Sequence, residues 1–220
     1  TSGGPTHHAL SPLDVSMGDL PKMRRLLRAA IRAGHIVSRK KPKWWITEFS
    51  WDTDPPDPKG VPMKLHKRWV AHAMYRAWQN GVSAFVWFQI RDAGGAIEGE
   101  HTFDSGLHFQ CSDIFCIKPK PTRQAFRFPF VAFRRGENNA RVWGRTPWGL
   151  PGEVAIEQRR KSGWRRLTEL RANRDGIFKR KVRVGGGDLM RAKLLGPDGG
   201  ERSVPFSLTL VPDRPVNPFG

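Results

Sequence analysis

The residue with the clearest chemical potential in this 220-residue sequence is Glu48. It lies near the end of an apolar and aromatic run at residues 44–51, which reads WWITEFSW. Such a run predicts a short buried strand. A carboxylate among tryptophans is costly to bury unless it has a partner or a chemical role. Because active sites of parallel α/β proteins form at the carboxyl ends of strands, Glu48 is the first candidate for a catalytic residue.

The elements around this run predict a parallel sheet. An earlier helix is expected to end at Gly34, and a second helix, from roughly Met63 to Asn80, is expected to end at Gly81. A near-continuous apolar run at 82–90 predicts the next strand, and Arg91 and Asp92 after it are expected to form a structural ion pair. Helix, strand, helix, strand, with strands apolar on both faces, indicates a parallel sheet covered by helices.

This order brings candidate binding residues to one edge of the sheet. Parallel strands joined by a single helix are expected to be neighbours through a right-handed crossover. The carboxyl ends of both strands then open onto the same edge. We therefore expect Glu48 and Trp51 to lie near Trp87 and Gln89.

The charge of the chain is uneven, although its net value is +18. Residues 1–116 carry 15 Lys and Arg against 11 Asp and Glu, whereas residues 117–220 carry 23 against 9. A basic second half could bind nucleic acid, an anionic polysaccharide or an anionic surface, or it could simply present a solvated arginine-rich face. No apolar run reaches the roughly 18–20 residues of a membrane span. The glycine triplet at 185–187 leads into a strand rather than a helix, which argues against a phosphate site.

The two cysteines, Cys111 and Cys116, allow two interpretations. In an exported protein they would form a small local disulfide, and in a cytosolic protein they would be free thiols. Together with His108 they could offer three zinc ligands, but structural zinc normally takes four in tighter spacings, so no metal is expected. The pair favours an extracellular or cell-surface location.

From Phe126 onward the pattern changes to short alternating runs. About six or seven strands are expected, and they indicate an antiparallel β-sandwich of the immunoglobulin-like kind. The predicted domains are therefore 1–118, which is α/β, and 119–220, which is all-β. Turn signals separate the runs at 136–139, 161–163, 174–176, 185–188 and 197–200.

The first half resembles a known family of enzymes. Residues 47–51 (TEFSW), the loop and helix after them, and residues 85–89 (FVWFQ) are similar to the last two βα units of a retaining glycoside hydrolase with a TIM barrel. In that clan the two catalytic glutamates follow strands four and seven. The resemblance implies that Glu48 is the nucleophile and Trp87 a sugar platform.

The resemblance also implies the rest of a sugar-binding site. Trp51 offers a second flat apolar face for a carbohydrate substrate, and Asp52 and Gln89 can hydrogen-bond its hydroxyl groups. A β-sandwich after the barrel is usual in several such families. No cofactor is expected.

The chain departs from the family in its length. A TIM barrel needs about 250 residues and eight βα units, and only two units are visible here. The acid/base glutamate usually follows an Asn, and no Asn-Glu pair occurs. We therefore expect a C-terminal fragment whose partner is the missing N-terminal part of the barrel, and which by itself has no glycosidase activity.

Two further roles stay open for the basic second half. It could be a module that binds an anionic glycan or nucleic acid, because aromatic residues alternate with arginines around 126–148. Alternation in a strand produces the same pattern without a ligand, so the half could also be only a packing support for the barrel. Of the two ligands, nucleic acid is the less expected.

Overall fold

The computed structural model describes residues 3–93, 103–111, 113, 115–196 and 200–209, and it combines helices with sheets. The described residues form two compact units. Unit 1 takes in the residues up to Trp69 and from Arg76 to Lys120, and unit 2 takes in Val70–Tyr75 and the residues from Pro121 onward. The domain assignment 1–118 and 119–220 stays a prediction.

Unit 1 contains the predicted helices and parallel strands. Its elements are a short 3₁₀ turn (Met17–Asp19), α1 (Leu20–Arg32), β1 (Trp45–Phe49), β2 (Thr53–Asp54), β3 (Val61–Pro62), the ends of α2 (Met63–Gln79) and β4 (Ala84–Trp87). The middle of α2, Val70–Tyr75, belongs to unit 2. Among the described residues, no helix is long and apolar enough to cross a membrane.

The two long helices end as their glycines predict. Gly34 and Gly81 have φ angles of 77° and 80°, a conformation that costs other residues energy. The N–H of the residue after each glycine donates to a carbonyl five residues back: His35 to Ala30, and Val82 to Ala77, both at 3.0 Å. This pattern is the Schellman motif, and it confirms the predicted helix ends.

The strands β1 and β4 are parallel neighbours, as predicted. Their register contains a bulge, because Ile46 lies opposite Phe85 while Phe49 lies opposite Trp87. Three steps along β1 therefore match two along β4, and Thr47 and Glu48 fall in the bulge.

The expectation that both strands are buried on both faces is wrong. On β1 only Phe49 is buried, while the side chains of Trp45 and Val86 are 63% and 48% exposed. Helix α2 covers one face of the pair through His66 and Trp69. On the other face Phe88 packs on Phe103 with ring centroids 5.6 Å apart, whereas Trp45 and Val86 stay exposed.

Besides the middle of α2, the described part of unit 2 contains a short helix and two antiparallel sheets. The elements are α3 (Pro121–Arg127), β5 (Phe130–Arg134), β6 (Asn139–Arg145), β7 (Glu153–Arg160), β8 (Gly163–Arg171), β9 (Ile177–Arg183), β10 (Leu189–Leu195) and β11 (Phe206–Ser207). One sheet has the order β5-β6-β9, and the other β11-β10-β7-β8. The alternating runs thus predicted the antiparallel strands correctly. The sequence analysis did not predict α3, because its seven residues are too few to show a helical period.

The core of unit 2 draws on both sheets. Phe130 and Val142 come from the first sheet and Ile156 and Met190 from the second, and all four are essentially inaccessible to solvent. Tyr75 of α2 joins the same cluster and packs on Trp143 with ring centroids 5.5 Å apart.

Candidate functional site

Glu48 lies at the carboxyl end of β1 with its side chain exposed. It forms no ion pair or hydrogen bond with any residue that the structure describes. The backbone beside it is fixed, because the N–H of Phe88 donates to the carbonyl of Phe49 at 3.0 Å. The structure therefore presents an exposed carboxylate near the end of the strand, whereas the sequence predicted a buried strand. The catalytic role of Glu48 stays a prediction.

The predicted tryptophans are buried. Trp51 and Trp87 are only 3% and 8% exposed. Both belong to an aromatic cluster with Phe49, His66 and Trp69 on the side that α2 covers, with ring centroids 4.6–6.4 Å apart. Their role as sugar platforms stays a prediction, and it requires a ring face that the described chain does not expose.

The bulge explains this arrangement. In a regular register Glu48 would lie opposite Trp87, and the two side chains would share one face of the sheet. The extra residue in β1 brings Phe49 opposite Trp87 instead. Alternation then turns Phe88, which is half-buried, away from the cluster that contains Trp87.

Gln89 and Asp52 are both half-buried at this edge. The side-chain amide of Gln89 donates to the carbonyl of Phe103 at 2.5 Å, and its backbone carbonyl accepts from Leu107 at 3.3 Å. Burial, and then the nearby carboxylate of Asp57, raise the pKa of Asp52. Gln89 therefore fastens a neighbouring segment to the strand end, and the substrate-binding role of both residues stays a prediction.

A buried lysine organises the interior behind this edge. The side chain of Lys120 is completely buried, and its ammonium group donates to Asp92 Oδ1 at 2.6 Å, to Thr53 Oγ1 at 2.7 Å and to the carbonyl of Asp104 at 2.7 Å. Asp92 Oδ1 also accepts from the N–H of Gly106 at 2.8 Å. Burial raises the pKa of Asp92, and the hydrogen bond from Lys120 opposes that shift. One lysine thus joins four segments of unit 1.

The predicted ion pair of Arg91 with Asp92 is wrong. The partner of Asp92 is Lys120, whereas Arg91 donates to the backbone carbonyl of Asp113 at 3.2 Å. Adjacent residues at a strand end point in different directions, so the buried carboxylate takes a cation from a distant segment.

Cys111 and Cys116 form a disulfide. Both thiols are therefore used, and the alternative zinc set with His108 is not formed. Across the described ranges there is no group of three His, Cys, Asp or Glu side chains that could hold a metal ion. The disulfide was one of two interpretations of the cysteine spacing, and the structure selects it.

Comparison with known proteins does not place the chain in a family. No model of a known protein family matches it. No curated protein matches it either. The resemblance to retaining glycosidases therefore depends on the sequence motifs alone.

His66 is a further buried polar residue that the sequence reasoning missed, since it looked like one more position on the helix. Its side chain is fully inaccessible and lies against Trp51 and Trp87. Burial, followed by the positive charge of Lys120, lowers the pKa of His66 to about 3. The folded protein therefore keeps this imidazole neutral.

This burial predicts a loss of stability in mild acid. An unfolded His66 takes up a proton below its ordinary pKa of 6.5, but the folded state does so only near 3. Stability is complete above pH 6.5 and falls as the pH drops, by about 2 kcal/mol at pH 5. Urea unfolding at pH 7.5 and pH 5 measures this difference. His66→Gln should abolish this difference in the free energy of unfolding, whereas His35→Gln, at an exposed position, should retain it. An equal difference in the two variants would contradict the prediction.

Proposed function

We propose that β1, α2 and β4 are the last two βα units of a retaining glycoside hydrolase with a TIM barrel, and that Glu48 is its nucleophile. The observation that carries the proposal is the exposed face of the β1–β4 pair. That face is apolar at Trp45 and Val86, and an unpaired carboxylate stands at its carboxyl end. In a TIM barrel helices cover the outside of the strands, and the opposite face forms the barrel interior.

The exposed apolar residues fit this assignment. A barrel would bury Trp45 in its interior layers, which supports the assignment. The active site of a barrel lies at the carboxyl ends of its strands, where Glu48 is found. The aromatic cluster around Trp51 and Trp87 then becomes the packing between strands and helix, and it supports the site from behind.

The chemistry assigned to Glu48 is nucleophilic attack on the anomeric carbon of a sugar. A retaining enzyme needs a second carboxyl group about 5–5.5 Å away, which protonates the leaving oxygen and later activates water. Within this chain no Asn-Glu pair supplies that acid. The second carboxyl group therefore comes from the strands that complete the barrel.

Unit 2 is assigned as an accessory β-sandwich of the immunoglobulin-like kind. Two antiparallel sheets that share one apolar core support this assignment. The disulfide between Cys111 and Cys116 supports an exported protein, because disulfides persist in oxidising compartments.

The coding sequence upstream of Thr1 provides the first test. About six further βα units, with an Asn-Glu at the end of the fourth strand, would support the proposal. A stop codon or an unrelated domain would overturn it. The chain itself is expected to leave aryl glycosides uncleaved, and Glu48-dependent hydrolysis by this chain alone would show that the second carboxyl group lies within it.

A further inference from the structure

The turn after β6 presents an exposed tryptophan in a costly conformation. Trp148 is 73% exposed, and its φ angle of 61° lies in the left-handed region that bulky residues avoid. Neither the exposed ring nor the backbone strain favours folding. Residues held in this way concentrate at binding sites.

The ring of Trp148 is held in place from one side. The guanidinium of Arg127 lies 4.4 Å from the ring centroid, and Glu201 fixes that guanidinium by two hydrogen bonds of 2.7 and 3.0 Å. The guanidinium of Arg127 therefore covers one face of the indole, and the carboxylate of Glu201 balances its charge. The ring is preorganised, and its exposure leaves a flat apolar surface for a ligand.

A row of cations leads up to this ring. On the face of β6 and β9 that carries Trp143, cations surround Trp143, which itself packs under Tyr75 in the core. These cations are all exposed, and they are Arg141, Arg145, Lys179, Lys181 and Arg183. The guanidinium of Arg145 packs on Gly149, directly beside Trp148, and leaves no room there for a Cβ.

Without a bound ligand, the repulsion within this row of cations destabilises the fold. Arg141 and Lys181 lie directly opposite each other in the register, and like charges in that position repel. Within the described ranges, Arg141, Arg145, Lys181 and Arg183 form no ion pair with a carboxylate. Unit 2 therefore carries a cationic strip, formed by the row of cations on β6 and β9. A bound polyanion would reduce the repulsion between these cations.

We propose that Trp148 and this cationic strip bind an acidic polysaccharide whose sugar rings carry carboxylates. A sugar ring stacks its C–H face on the open side of Trp148, and its carboxylate pairs with the guanidinium of Arg145, whose planar fork suits a carboxylate. Cations two residues apart on a strand repeat at roughly 6.6–7 Å, so successive charged sugars meet successive cations.

The strip fits this ligand better than a single-stranded nucleic acid. Single-strand binders stack successive bases on several aromatic side chains. On this face the other aromatic residue of β6, Trp143, is buried in the core, so Trp148 is the only exposed ring on the strip within the described part of the chain.

The test uses the full chain and oligomers of polygalacturonate, with calorimetry at 50 and 200 mM salt. We expect binding that weakens about tenfold or more at the higher salt, because screening removes the charge attraction. Trp148→Ala should weaken binding about tenfold or more. Trp164→Ala is the matched control, since Trp164 lies under Arg191 at 4.1 Å on the other sheet, and it should bind like the parent chain.

Three results would overturn the proposal. They are unchanged affinity in Trp148→Ala, equal binding of an uncharged dextran of the same length, and tighter binding of an oligothymidylate of the same charge. A variant with both Arg141→Gln and Lys181→Gln provides a second test of the proposal. It should lose affinity for polygalacturonate while its urea midpoint stays the same or rises, because the repulsion between the two side chains is gone.

Discussion

Lys120→Met should lower the free energy of unfolding by about 3–5 kcal/mol. The substitution removes a fully buried ammonium group and leaves the carboxylate of Asp92 without its cation in the interior, and breaking a buried pair from one side costs this much. It also removes the hydrogen bonds that Thr53 and the carbonyl of Asp104 receive. Urea unfolding at pH 7, followed by tryptophan fluorescence, measures the change, since Trp51 and Trp87 lie in the same unit.

Two variants separate the buried charge from the loss of a side chain. Lys118→Met, two residues earlier and exposed, should change stability by less than about 0.5 kcal/mol. Adding Asp92→Asn to Lys120→Met should recover part of the loss, because no uncompensated charge remains and the N–H of Gly106 keeps an acceptor. If Lys120→Met is as stable as Lys118→Met, the lysine does not hold the four segments together.

If Glu48 is the proposed nucleophile, Glu48→Gln should lower kcat by about 10⁴-fold or more in a protein that completes the proposed barrel. Loss of an enzyme nucleophile has effects of this order, since the amide cannot form the covalent intermediate. Steady-state hydrolysis of an aryl glycoside measures kcat. Because Glu48 is exposed and unpaired within the described chain, the urea midpoint should change little.

The matched control for this activity is Glu137→Gln, which neutralises another exposed glutamate. It should leave kcat unchanged. A Glu48→Gln enzyme with the parent kcat would remove Glu48 from the mechanism, and a lowered urea midpoint would show that the carboxylate acts on the fold instead.

Local features of this chain could be predicted because nearby residues determine them. Gly34 and Gly81 mark helix ends, since only glycine accepts that backbone conformation cheaply. The parallel pairing of β1 and β4 follows from two apolar runs separated by one helix. Turn signals likewise separated most strands of unit 2.

The arrangement of the site could not be predicted, because it depends on register and on distant contacts. No local pattern marks the extra residue at 47–48, yet that bulge decides which side chain lies opposite Trp87. Lys120 occurs in a Lys-Pro-Lys-Pro stretch that is typical of a solvated loop. Its partners Asp92 and Thr53 lie 28 and 67 residues away, so its burial is a property of the fold.

The position of β1 in its sheet has a practical consequence. Among the described residues β1 pairs with β4 alone, so its other edge offers backbone donors and acceptors along a strand that also exposes Trp45. Such an edge is a template for any extended chain, including a second copy of the same strand. In concentrated solution the separate chain should therefore aggregate by edge-to-edge pairing, and a lysine in place of Trp45 should keep it dispersed.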